Sequence, residues 1–108
     1  MWHVDGTLVL DERTVAVEVP ASWAAEVSHE LRAAGPLGPI LAIPGPRLRW
    51  LFLARPEPDP RVAPPEVRTW LGPCGIPAPR SRWVVEPAGA LPREGAVRCA
   101  IRVVRRRF

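Results

Sequence analysis

Pro39-Ile-Leu-Ala-Ile43 and Leu48-Arg-Trp-Leu-Phe-Leu-Ala54, joined by Pro44-Gly-Pro-Arg47, decide the fold. Two short apolar runs around a Pro- and Gly-rich turn predict a β-hairpin. Side chains alternate along a strand, so Leu48, Trp50, Phe52 and Ala54 fall on one side and Arg49, Leu51 and Leu53 on the other. Both faces of this strand are expected to be largely buried, Arg49 excepted.

Working outward toward the amino end, Thr14-Val-Ala-Val-Glu-Val19 is β-rich, with Val15, Val17 and Val19 on one face. Thr7-Leu-Val-Leu10 precedes it across the polar turn Asp11-Glu-Arg13, and the two runs suit a hairpin. After Pro20 a helix is expected through about Ala34, because Trp23, Val27, Leu31 and Ala34 recur at helical spacing and Gly35-Pro36 stops it. Glu26 and Glu30 lie one turn apart on that helix and describe a solvated side.

Toward the carboxyl end, residues 55–65 are a proline–acid mix that reads as an internal linker. Pro65-Glu-Val-Arg-Thr-Trp-Leu71 is expected to be a short helix with Pro at its first turn and Gly72-Pro73 as its stop. A Pro-rich loop containing Cys74 follows, then a strand at Ser81-Arg-Trp-Val-Val-Glu86. In Ala96-Val-Arg-Cys-Ala-Ile-Arg-Val-Val104 the residues Val97, Cys99, Ile101 and Val103 alternate with Arg98, Ala100 and Arg102, which predicts a final strand. Leaving out the amino-terminal run, the resulting order is strand, helix, strand, strand, helix, strand, with a further strand at the end. That is the split βαβ arrangement of ferredoxin-like and RNA-recognition-motif-like palms, an α+β fold with two helices on one face of an antiparallel sheet. The opposite face is then free to bind.

The chain has 108 residues, of which 47% are hydrophobic and 24% charged, enough for one globular domain over 1–108 but not for a second core. The absence of a 20-residue apolar run, and of a basic-then-apolar leader after Met1, points to a cytoplasmic protein with no membrane association. Formal net charge is +4, carried by Arg alone, since the chain contains no Lys. Part of that Arg content reflects the composition of a high-GC coding sequence, as do the abundant Ala, Pro and Gly. Cys74 and Cys99 have no CxxC or His partners nearby, so no zinc site is expected and both thiols read as reduced.

Catalytic chemistry finds little material. Only His3 and His29 are available as a base, and His29 reads as a surface histidine. Two-metal chemistry needs converging carboxylates, and Glu57-Pro-Asp59 lies in the proline linker with no strand to hold it. No phosphate-cradling glycine loop occurs. No catalytic residue, metal or other cofactor is therefore expected. Trp50, Phe52 and Trp83 could offer stacking surfaces, but core packing is the simpler assignment in so small a domain. Arg98, Arg102 and the basic tail 105–108 with Arg105, Arg106 and Arg107 could instead form a track for a phosphate backbone.

Val15-Ala-Val-Glu-Val-Pro-Ala-Ser-Trp-Ala-Ala-Glu-Val-Ser-His-Glu-Leu31, followed by Gly35-Pro-Leu-Gly-Pro-Ile40, resembles the amino-terminal domain of actinobacterial bifunctional DNA primase/polymerases. Ser81-Arg-Trp-Val-Val-Glu-Pro87 and Val97-Arg-Cys-Ala-Ile101 are similar to that family's late strands. The resemblance implies a primase-polymerase palm. Polymerising members carry an Asp-x-Asp or Asp-x-Glu metal pair on a palm strand; the runs Ile40 to Ile43 and Leu48 to Ala54 contain no acid, and Glu86 is the lone strand-end carboxylate. A shortened, inactive relative follows from that departure. The expected function is a non-catalytic module binding single-stranded DNA or RNA, or a replication protein, through Arg98, Arg102, Arg105, Arg106 and Arg107. The rival expectation is a small protein–protein or regulatory module, homodimeric in one version, whose Arg content is compositional. The residues leave the oligomeric state open.

Overall fold

The computed structural model describes residues 6–58 and 65–107, together with the backbone of residues 3 and 4. The elements run β1 (His3–Val4), β2 (Thr7–Leu10), β3 (Val15–Pro20), α1 (Ala21–Ala34), β4 (Ile40–Ile43), β5 (Arg49–Ala54), β6 (Arg68–Leu71), β7 (Cys74–Pro77), β8 (Arg82–Val85) and α2 (Glu94–Arg105). The fold is α+β with two helices and antiparallel sheets, as the element types required. One sheet has five strands in the order β6-β3-β5-β4-β8 and the other has three in the order β1-β2-β7.

The expected hairpin is β4 and β5, paired from Ile40 opposite Phe52 to Ile43 opposite Arg49. β5 also pairs along its whole length with β3, from Val15 opposite Ala54 to Pro20 opposite Arg49. Leu51, Phe52, Leu53 and Ala54 are buried on both sides of the sheet. Helix α1 connects β3 to β4 and seats Ala24, Val27 and Leu31 on one face, against Val15, Val17, Val19, Ile40 and Phe52.

Three expectations are corrected. Residues 94–105 form helix α2, not a final strand. Val97, Ile101 and Val103 satisfy a two-residue period, but Val97, Ala100, Ile101 and Val104 satisfy the helical one, and these last four are the buried set. A run of this length suits a helix better than a strand. Residues 65–71 are not a helix: after a turn, β6 pairs with the open edge of β3, from Val15 opposite Leu71 to Glu18 opposite Arg68. An unpaired edge supplies backbone partners that a seven-residue helix, too short to hold itself, lacks. The second helix therefore comes after β8 and not between the hairpin and β6.

The third correction concerns the face thought to be free. β2 does not pair with β3; it pairs with β7, from Thr7 opposite Pro77 to Leu10 opposite Cys74. Since β3 pairs with β6, the segments 7–18 and 68–77 form one long antiparallel ribbon, bent where the chain passes from one sheet to the other. Its outer half folds over the second face of the large sheet. Leu8, Leu10 and Ile76 then bury against Ala16, Leu41, Ile43, Leu51 and Leu53, so a second apolar cluster exists where a single core was expected.

The bend has a specific chemistry. Asp11 Oδ1 accepts the Arg13 N–H and the Thr14 hydroxyl, both at 2.9 Å, closing the polar turn on one strand of the ribbon. Those two bonds, the backbone one first, hold the Asp11 carboxyl below its ordinary value. On the other strand Gly72 donates its N–H to Thr14 O at 3.2 Å, and a Cβ at Gly72 would collide with the Asp11 carbonyl. Only glycine permits the two strands to approach this closely at the corner.

The 55–65 segment does more than connect. Arg55 forms a parallel bridge with Arg93, through Arg55 N–H to Pro92 O at 2.8 Å and Glu94 N–H to Arg55 O at 2.9 Å. Glu57 Oε1 accepts the Gly95 N–H at 2.7 Å, and the Glu57 N–H donates to Glu94 Oε1 at 3.1 Å. Helix α2 has no side-chain cap of its own, so the Glu57 carboxylate serves as one. Residues 59–64 of the expected linker lie outside the described residues.

If the folded ribbon closes the second face, Leu8→Ala should cost about 2–5 kcal/mol in urea unfolding, as for a fully packed core leucine. Gly72→Ala should cost about 1–3 kcal/mol through the clash at the bend. Loss of less than about 0.5 kcal/mol in both would mean that the ribbon does not cover the sheet.

Candidate nucleic-acid interface

The arginines expected to form a track lie on α2 and just beyond it, and most of them are occupied. Arg98 is only 14% exposed; its Nη2 lies 2.7 Å from the Glu94 carboxylate and 3.0 Å from Thr69 Oγ1. Glu94 itself is buried and also holds the Glu57 N–H, so Arg98 neutralises a carboxylate that the fold has taken out of water. Arg105 pairs with Glu66 at 3.3 Å. Arg107 bridges Glu30 at 2.6 Å and Glu26 at 3.5 Å, so the acidic pair expected to be a solvated side of α1 is where the end of α2 docks. Arg102 and Arg106 have no carboxylate partner among the described residues. The five are not one stripe: Arg98 sits beside β6, while Arg107 reaches α1.

A different group of arginines converges at the far end of the large sheet, away from the bend. Strand β8 pairs with β4, placing Arg82 opposite Ala42, and β5 places Arg49 opposite Ile43. The β4–β5 turn carries Arg47 past them. The tip of the folded ribbon arrives at the same place, because residues 78–81 turn the chain from β7 back into the large sheet. Ser81 N–H donates to Ala78 O at 3.3 Å across that turn, with Pro79 and Arg80 as its central residues.

Two clefts flank the 44–47 turn. One, of about 440 Å³, is bounded by Glu18, Pro20, Arg47, Leu48, Arg49 and Glu66. The other, of about 490 Å³, is bounded by Ile43, Pro44, Pro46, Arg49, Pro79 and Arg80, with no acid in its lining. Arg49 lines both, as do Pro44, Gly45 and Pro46. Its Nη1 donates to Glu18 Oε1 at 3.0 Å, and Trp70 Nε1 donates to the same oxygen at 3.1 Å. Arg68 stacks over Trp70 at 3.8 Å from the ring centroid. Glu18 thus orients one edge of the Arg49 guanidinium and leaves other N–H groups of that fork available to a ligand. Arg47, Arg80 and Arg82 are exposed and have no carboxylate partner among the described residues.

Arg80 has φ +59°. At the third position of a Pro-led turn this left-handed conformation favours glycine, and a bulky residue there costs about 1–3 kcal/mol. Arg80 lines the second cleft in that conformation.

The other expected sites are quickly located. Trp50 and Phe52 pack in the helix-side cluster and Trp83 in the other, so these rings are committed to packing. The Glu57 carboxylate caps α2, Asp59 lies outside the described residues, and Glu86 is exposed. Among the described residues no three His, Cys, Asp or Glu side chains gather as a metal set. Cys74 and Cys99 are both free thiols. Among the described residues no helix is long and apolar enough to cross a membrane.

Comparison of the chain with known protein families, with curated proteins and with solved structures finds no match.

Arg98→Ala should lower stability by about 2–3 kcal/mol in urea unfolding, since it strands the Glu94 carboxylate. Arg106→Ala should change it by less than about 0.5 kcal/mol. Equal, negligible effects would mean that Arg98 is a surface cation with no structural duty.

Proposed function

We propose that this chain is a non-catalytic binding module for single-stranded nucleic acid, and that its contact surface is the arginine-bearing end of the large sheet. The carrying observation is that Arg47, Arg49 and Arg80 come from separate segments to line two adjoining clefts, with Glu18 and Glu66 as the facing carboxylates and Arg82 nearby on strand β8. Guanidinium forks suit phosphate oxygens, and a concave basic groove attracts a flexible polyanion. The clefts are of small-ligand size, which favours a single strand over a duplex. The carboxyl end of α2 reaches the rim of the first cleft through the Arg105–Glu66 pair, so Arg102 and Arg106 near it would add non-specific attraction. The resemblance to primase-polymerase domains is compatible with this function but is not needed for it.

A specific feature favours the rival protein–protein module: Leu71 is 66% exposed on β6, an edge strand of the large sheet. Edge pairing with another chain would use it.

Fluorescence anisotropy with an oligothymidylate separates the two. Four phosphate contacts to a single strand should weaken binding about fifty-fold between 50 and 200 mM salt. The triple variant Arg47→Ser, Arg80→Ser, Arg82→Ser should abolish most of that binding and flatten its salt dependence, whereas Arg102→Ser with Arg106→Ser should weaken it far less. No binding at low salt, together with a concentration-dependent mass in light scattering, would replace this function with the rival.

A further inference from the structure

We infer that the cleft between the 44–47 turn and the ribbon tip is a discrete receptor for a phosphomonoester carried on a flat, weakly polar body, of which a nucleoside monophosphate is the simplest example. This rests on the nucleic-acid function proposed above only for its biological setting; the geometry stands separately.

The cleft differs in kind from the open arginine surface around it. Its walls are Ile43, Pro44, Pro46 and Pro79, which offer apolar ring faces and no side-chain donors or acceptors. The charged residues of its lining are Arg49 and Arg80. Arg49 is held by Glu18 from the neighbouring cleft, so its fork is oriented before any ligand arrives. Arg80 is held by a turn whose hydrogen bond closes from Ser81 N–H to Ala78 O. Two forks on an otherwise apolar wall suit a group with three terminal oxygens and nearly two negative charges, which a phosphomonoester has and a phosphodiester lacks. The volume of about 490 Å³ is within the range of small-molecule sites. Proline rings on both sides give a flat body somewhere to lie.

The backbone at Arg80 makes the site testable without confusing binding with folding. Glycine relieves the positive φ at that turn position, so Arg80→Gly should fold at least as well as the parent chain while removing one fork. Arg80→Gln keeps the backbone strain and the aliphatic stem but loses the charge and the guanidinium fork.

Isothermal titration calorimetry at low salt should use the intact chain with adenosine monophosphate, adenosine, inorganic phosphate, and oligothymidylates with and without a terminal phosphate. Adenosine monophosphate should bind at least tenfold more tightly than adenosine and than inorganic phosphate. Arg80→Gly should weaken it at least tenfold with no fall in Tm, and Arg80→Gln should do the same with Tm near the parent's. A preference for the terminally phosphorylated strand that free adenosine monophosphate competes away would identify a strand end as the source of the group. Tight nucleotide binding without any preference between strands would identify a free nucleotide. Equal affinity for adenosine and adenosine monophosphate would overturn the receptor, and if oligothymidylates still bound, the nucleic-acid function would survive it. Nucleotide binding without oligothymidylate binding would leave the receptor standing and remove that function. Absence of all binding would remove both.

Discussion

Strand β5 is hydrogen-bonded on both edges and buried on both faces, and the rest of the molecule is arranged to make that sustainable. Its Leu51-Phe-Leu-Ala54 segment directs Phe52 and Ala54 into one cluster and Leu51 and Leu53 into the other. Each fully buried aliphatic or aromatic side chain contributes about 1.5–3 kcal/mol, but only if a layer of protein closes over it. Helices α1 and α2 provide that layer on one face, and the bent ribbon provides it on the other. Glycine at residue 72 is what allows the ribbon to turn the corner tightly enough to reach.

Closing both faces decides where binding can occur. A sheet with one naked face can offer it to a ligand; here that surface holds Leu8, Leu10 and Ile76. What is left is the end of the sheet, where the β4–β5 turn and the ribbon tip meet and where arginines come together from distant parts of the chain. The carboxyl-terminal arginines are largely engaged by Glu94, Glu66, Glu26 and Glu30, holding α2 to its neighbours. Exposed pairs of this kind contribute about 0.2–1 kcal/mol each, whereas the shielded Glu94–Arg98 contact matters more because neither partner can return to water alone.

The hairpin, α1 and the strand at 82–85 were legible because local signals sufficed: apolar runs of strand length, a Pro-Gly-Pro turn, and helical spacing ended by Gly35-Pro36. The α+β class followed. Helix α2 was not, because Val97 and Ile101 fit both periods and β-branched residues bias the choice toward a strand. β6 depends on the free edge of β3, which is a tertiary fact. The pairing of β2 with β7 spans most of the chain and left no local trace. A signal for the covered face was nevertheless present. Leu51 and Leu53 opposite Trp50 and Phe52 demand apolar cover on both sides, which conflicts with an open binding face. The site itself had a weaker signal, two Pro-rich turns each delivering an arginine, at Pro46-Arg47 and Pro79-Arg80. Nothing in the sequence says that those turns meet, and arginines are denser near the carboxyl end than at either turn.

Mapping backbone amide shifts by heteronuclear NMR during titration with oligothymidylate would locate the contact surface in a single measurement. Perturbations should concentrate at Gly45, Arg47, Arg49, Arg80 and Arg82, with Leu51 to Ala54 and the α2 residues Arg98 and Arg102 little changed. Shifts centred on residues 98–107, with the turns at 44–47 and 78–81 silent, would contradict the assignment of binding to the end of a doubly covered sheet.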